Sequence, residues 1–218
     1  MLKPPSAARR AVFLVIALIA GFAAYLASRQ LLAPPQAPPL PAAPAVAGPA
    51  TIPERRPDIR LADRDGQLRS LSEWDGKIQV INFWATWCAP CRREIPMLNA
   101  LARDYRDRGL EVIGIAVDFR EDVLKYLQAT PVDYTVLIGE QDGLDAARAF
   151  GMETIGLPFT AFVDRSGRIV TIHVGELQRP QAELILSAVR ELEAGTIDMG
   201  AARAKIRAGA ADPGQPGT

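Results

Sequence analysis

Cysteine and histidine are scarce in this chain of 218 residues: two of the first and a single one of the second, His173. Structural zinc ordinarily takes four Cys or His ligands, so one cysteine pair with no second pair does not furnish such a site. A disulfide-stapled scaffold is excluded on the same ground. An excess of either charge is also lacking. Lysine and arginine number 25 and aspartate and glutamate 25, which leaves no electrostatic footprint for a nucleic-acid partner. No internal repeat is evident, so solenoid architectures fall away.

The N-terminal quarter has its own character. Residues 1–10 carry Lys3, Arg9 and Arg10, and Ala11 to Ala27 are free of charge. These seventeen residues, which extend past Arg29 through Leu31 and Leu32 to make the run 11–32, are at the lower limit for a bilayer span, about 17–25 residues. Basic residues ahead of it predict a cytoplasmic N-terminus and place everything downstream across the membrane. A cleaved signal peptide is the competing reading, although the end of the run, where Tyr25 and Ala27 flank Leu26, makes a poor small-x-small site. Residues 33–57 hold Pro34, Pro35, Pro38, Pro39, Pro41, Pro44, Pro49, Pro53 and Pro57, which favours an extended, semi-rigid spacer. The folded domain is expected over 58–194, with a partly disordered extension over 195–218.

Within that domain, Ile78 to Trp84 is an apolar, β-branched run that reads as a buried strand. It leads directly into Trp87, Cys88, Ala89, Pro90 and Cys91 at the start of a predicted helix that runs to about Arg108 and stops at Gly109. At C-x-x-C spacing on a helix start, the first thiol meets unpaired backbone N–H groups and the positive end of the helix dipole, both of which favour its thiolate. The second lies about one turn deeper, within reach of a disulfide. A purely structural cross-link over so short a loop removes little chain entropy. The pair therefore points to dithiol–disulfide exchange.

The remaining elements alternate. Ile59 to Ala62 and Gln67 to Ser70 flank a turn at Asp63 to Gly66, and Leu110 to Val117 is a strand, giving a right-handed βαβ unit around the cysteine helix. Helices are expected over Glu121 to Ala129 and Asp142 to Phe150, with a strand at Tyr134 to Ile138 between them. Phe159 to Val163 and Arg168 to Val174 form a hairpin around Asp164 to Gly167; helices over Pro180 to Glu193 and Met199 to Arg207 follow. Proline at 158 fits the opening of an edge-facing strand.

Other residues have both a chemical and a plain structural reading. Glu94, three residues after Cys91 on the same helical face, can raise the thiol pKa values and exchange a proton with Cys91, or can be an exposed acid stabilised by the helix dipole. Trp87 is either an apolar contact surface beside the thiols or a core aromatic. Asn82 is a satisfied core amide or a replacement for an internal proton acceptor. No histidine lies between the cysteines, which points towards a reductant.

The segments N-F-W-A-T-W-C-A-P-C-R-R-E-I-P and G-L-P-F-T-A-F-V-D-R-S-G-R-I-V, behind an apolar N-terminal run, resemble the membrane-anchored thioredoxin-like oxidoreductases of the TlpA/ResA group. The resemblance implies an α/β thioredoxin fold with an N-terminal β-hairpin and a strand-helix insertion, preceded by a transmembrane helix. It implies a single-pass protein of the bacterial inner membrane with its catalytic domain in the periplasm. It further implies reduction of oxidised clients, such as apocytochrome c or copper-site proteins, through a mixed disulfide, with electrons from a membrane thiol-relay reductant and no cofactor or metal. By the same resemblance Cys88 is the nucleophile, Cys91 resolves, Glu94 tunes the pair, Pro158 is cis and packs opposite Cys88, and Leu157 offers its backbone to substrate. Thioredoxins that resemble this strand carry a buried aspartate where Asn82 stands. Two alternatives share the fold: a copper chaperone using Cys88, Cys91 and His173, and an oxidant that installs disulfides. A peroxidase is disfavoured by Ala85, where a threonine is needed.

Overall fold

In the computed structural model the described residues are 52–152 and 156–211. The expected basic terminus 1–10, the anchor 11–32, the spacer up to residue 51 and the tail from Asp212 lie outside them. Among the described residues no helix is long and apolar enough to cross a membrane.

The chain order is β1 (Arg60–Asp63), β2 (Leu68–Ser70), β3 (Ile78–Trp84), α1 (Ala89–Tyr105), β4 (Leu110–Val117), α2 (Arg120–Ala129), β5 (Thr135–Gly139), α3 (Gln141–Ala149), β6 (Phe159–Val163), β7 (Ile169–Val174), α4 (Arg179–Glu193) and α5 (Met199–Ala211). The strands form one seven-stranded sheet in the order β2-β1-β5-β4-β3-β6-β7. β3, β4 and β5 are parallel, whereas β6 and β1 join antiparallel on either side of them. β3 is central and buried throughout, which accounts for its near-continuous apolar sequence. The expected insertion is β5 with α3, and the expected N-terminal hairpin is β1 with β2.

Successive residues of β3 face opposite layers. Val80 and Trp84 join the layer of α1 and α4, while Ile81 and Phe83 join Phe150, Phe159 and Trp74 on the other face. α1 begins on Cys88 and passes through a 3₁₀ turn to Gly109, whose φ of 73° ends it in the left-handed conformation that glycine adopts without strain. Pro96 sits inside α1 and cannot donate to the carbonyl one turn back; burial of Ile95, Leu98 and Leu101 on the sheet holds the helix through it.

Three expectations need correction. The folded unit starts before residue 58: Ile169 N donates to Glu54 O, Arg56 N donates to Gly167 O, and Arg55 bridges to Arg168, so the end of the spacer packs on the β6–β7 hairpin. It also runs beyond residue 194. α5 buries Ala202 and Ile206, and Arg203 donates to the carbonyls of Ile169 and Val170 on edge strand β7. Finally, the strand that follows Pro158 is not at an edge, since β6 lies between β3 and β7.

Candidate active site

β3 ends at Trp84, and Thr86, Trp87 and Cys88 carry the chain over the sheet to the N-terminus of α1. A buried carboxylate shapes this connection. Asp118 follows parallel β4, and its Oδ2 accepts from Thr86 N at 2.9 Å and from Thr86 Oγ1 at 2.6 Å; its Oδ1 accepts from Phe119 N at 2.9 Å. The clamp leaves the two flanking aromatics outward, with Trp87 69% and Phe119 63% exposed.

Cys88 and Cys91 are joined as a disulfide with Cα atoms 5.3 Å apart. Cys88 is the helix cap itself, its sulfur accepting from Cys91 N at 3.3 Å. Of the two, Cys91 is fully buried and Cys88 keeps a small exposed area. An anionic Cys88 sulfur in this position faces backbone donors and the positive helix end.

Pro158 is cis and buried, and its carbonyl accepts from Gly175 N at 2.9 Å. Because Phe159 pairs with Phe83, Pro158 and Leu157 lie at the same end of the sheet as the cysteines. Leu157 is half-buried and touches the apolar layers on both faces.

Glu94 turns inward and is 2% exposed, so the solvent-facing alternative is excluded. Its Oε1 accepts from Asn82 Nδ2 at 2.7 Å and its Oε2 accepts from Leu177 N at 2.8 Å. Burial pushes the Glu94 carboxyl up to about 7, the two donors pull against that rise, and the charge of Glu176 adds to it. Asn82 Nδ2 also donates to Thr160 Oγ1 at 3.0 Å, while Asn82 Oδ1 has no hydrogen-bond partner among the described residues. Tyr134 lies close by, its phenol pushed far above the usual range by burial and then by the Glu94 charge. Gly114 makes room here, since a Cβ would come within 2.9 Å of the Tyr134 ring and 3.1 Å of Trp84 Nε1.

The structure thus gathers Cys88, Cys91, Trp87, Leu157 and Pro158 at one end of the sheet, with Glu94 one turn further along α1. His173 is the register partner of Thr160. It is half-buried on β7, burial lowers its pKa, and its Nε2 lies 3.4 Å from Glu176 O. Among the described residues no three His, Cys, Asp or Glu side chains form a metal-binding group. Four participants escaped the sequence: Thr86, Asp118, Thr160 and the N–H of Leu177. Asp118 alone carried a signal, as an acid at the carboxyl end of a parallel strand beside the cysteine strand.

Residues 52–172 match the AhpC/TSA family. The chain is 30% identical over 135 residues to the thiol-disulfide oxidoreductase ResA of Geobacillus thermodenitrificans, covering 62% of this chain and 75% of that one. It is 31% identical over 133 residues to the thioredoxin-like protein YneN of Bacillus subtilis, covering 60% and 75% respectively. The crystal structure of a thiol:disulfide interchange protein of the thioredoxin family from Chlorobium tepidum superposes with a TM-score of 0.52 at 29% identity, covering 58% of this chain and 88% of that one. A disulfide at a helix start on a thioredoxin-like sheet agrees with these relatives, and the chain belongs to the AhpC/TSA family as a thiol-disulfide oxidoreductase of thioredoxin-like fold.

Proposed function

We propose that the protein is a membrane-anchored reductase that works on the periplasmic face of the bacterial inner membrane. The observation that carries this reading is the Cys88–Cys91 disulfide at the start of α1, with buried Glu94 below it. In the reduced protein the Cys88 thiolate attacks one sulfur of a client disulfide, forming a mixed disulfide and releasing one client thiolate. Cys91 then gives up its proton, attacks Cys88 Sγ and expels the second client thiolate. The client gains two electrons and leaves as two thiolates, which take up one proton passed on from Cys91 and one from water, and the protein is left in the disulfide form. Glu94 takes the Cys91 proton, a task suited to a carboxyl that titrates near 7. Trp87 provides an apolar surface for the client, and Leu157, held by the cis bond to Pro158, offers its backbone to an extended client strand.

Return to the dithiol form requires a reductant. In an oxidising compartment this is a membrane thiol relay, and the apolar run 11–32 behind Lys3, Arg9 and Arg10 keeps the domain beside it. Apocytochrome c and copper-site proteins are the client classes that the family resemblance favours. A copper-binding role for Cys88, Cys91 and His173 has no supporting geometry among the described residues.

The test is a trap. Cys91→Ser in the intact cell holds clients on Cys88 as unresolved mixed disulfides, and cytochrome precursors or copper-site proteins are the expected catch. An empty trap, or a pair whose potential is as high as that of a disulfide-installing oxidant, contradicts the reading.

A further inference from the structure

Asn82 donates from one atom in two directions, to Glu94 Oε1 at 2.7 Å and to Thr160 Oγ1 at 3.0 Å, while its carbonyl oxygen is buried without a partner among the described residues. That is an uneven use of an amide, which has two donors and an acceptor with two lone pairs. Both of the amide's hydrogen bonds thus pass through Nδ2, on the side where Glu94 and Thr160 lie. We propose that Asn82 is a positioning residue that turns its amide over with the protonation of Glu94. It donates to Glu94 and Thr160 when the acid is ionised and accepts from both when the acid is protonated.

The geometry fits a half-turn about the amide's own bond. Nδ2 faces both oxygens, so a 180° rotation brings Oδ1 to face both. Glu94 then has an O–H to give, and the Thr160 hydroxyl, which is donor as well as acceptor, reverses its direction. Every hydrogen bond of the trio is retained and reversed, whereas an aspartate in place of Asn82 would set two carboxyls against each other. Leu177 N remains on Oε2 in either state. Thr160 is the register partner of both Asn82 on β3 and His173 on β7, so these three residues lie along one row of the sheet.

The other titratable and charged groups around Glu94 are Tyr134 just before β5, Glu176 before α4, which pairs with Arg93, and the cysteines at the start of α1. Tyr134 remains a neutral phenol, and Glu176 remains an anion at neutral pH because its Arg93 partner holds its carboxyl below the usual range. His173 borders Thr160 with its imidazole depressed by burial, so it is neutral where Glu94 titrates.

The inference rests on the proposed titration of Glu94, and the two fail separately. In the oxidised full-length protein, the carboxyl-carbon resonance of Glu94, assigned by its loss in Glu94→Gln, is followed against pH together with both side-chain amide protons of Asn82. Glu94 is expected to titrate near 7, and both amide protons are expected to move with the same midpoint because both lose their acceptors in the turn. A single moving proton, or none, overturns the inference but leaves the role of Glu94 intact. A Glu94 midpoint in the ordinary carboxylate range sinks the underlying reading as well. Asn82→Leu is expected to raise the midpoint by about one pH unit or more, and the nearly isosteric Thr160→Val to raise it by less. An unchanged midpoint in a folded Asn82→Leu protein also overturns the inference. If Asn82→Leu does not fold, the wild-type amide protons and Thr160→Val decide.

Discussion

The two faces of β3 and β6 differ sharply although neighbouring residues of the same strands build them. On one face Phe83 stacks on Phe159 with ring centroids 4.3 Å apart and meets Phe150 edge-on at 5.3 Å, and all three rings are fully buried. On the other face, one residue along each strand, Asn82 and Thr160 meet Glu94 in a buried polar chain. The first face is ordinary core and contributes stability. The second leaves Asn82 Oδ1, Trp84 Nε1 and Tyr134 Oη without hydrogen-bond partners among the described residues and holds a carboxyl that burial forces towards neutrality. Such concessions are tolerable where they serve the proton economy of the adjacent thiols.

The largest contrast is between chemistry and packing. Cys88→Ser abolishes client reduction while leaving the apolar face, and thus folding, intact; residual turnover in a disulfide-reduction assay would break the division. Phe83→Ala does the reverse. It opens a cavity among fully buried rings and costs about 3–5 kcal/mol in denaturant unfolding, while the potential of the cysteine pair in the folded fraction stays unchanged.

The polar face also gives stability a pH dependence. The Glu94 carboxyl lies near 7 in the folded protein and near its ordinary value of 4.5 when unfolded, so the folded state binds more protons between those values. Its contribution is fully present below about pH 4.5 and is lost as pH rises through about 7. Over that window the wild-type protein should lose about 3 kcal/mol relative to Glu94→Gln, as read from unfolding curves at pH 4.5 and 8. Parallel pH profiles would remove Glu94 from the account. A smaller effect is expected from Asp118→Ala, which frees Thr86 and the Cys88 connection: about 1.5–3 kcal/mol of stability and a slower attack on client disulfides, with the potential little changed.

The apolar face was largely legible from the sequence because strand periodicity specifies it. Ile81, Phe83, Ile113, Ile115 and Phe159 alternate or run together as buried strands do, and the turns at Asp63 to Gly66 and Asp164 to Gly167 locate the hairpins. The helix stop at Gly109 was readable for a local reason also. The polar face was legible only in part. Glu94 lies close to Cys91 in sequence and could be suspected, whereas Thr160 is 78 residues from Asn82 and the donor of Leu177 is 83 residues from Glu94. A backbone N–H has no residue type to betray it. The ends of the folded unit were missed because a proline-rich spacer can still pair, as Glu54 and Arg56 do, and because α5 is held by the carbonyls of Val170 and Ile169, 33 and 34 residues from Arg203.

The central claim is that the thiol pair works through the carboxyl beneath it. Single-turnover reduction of a disulfide client, followed against pH in the wild-type protein and in Glu94→Gln, tests it directly. The account predicts a wild-type rate that rises through a midpoint near 7, and a variant that lacks this rise and is slower at neutral pH by about a hundredfold or more. Equal rates with superimposable profiles would contradict it.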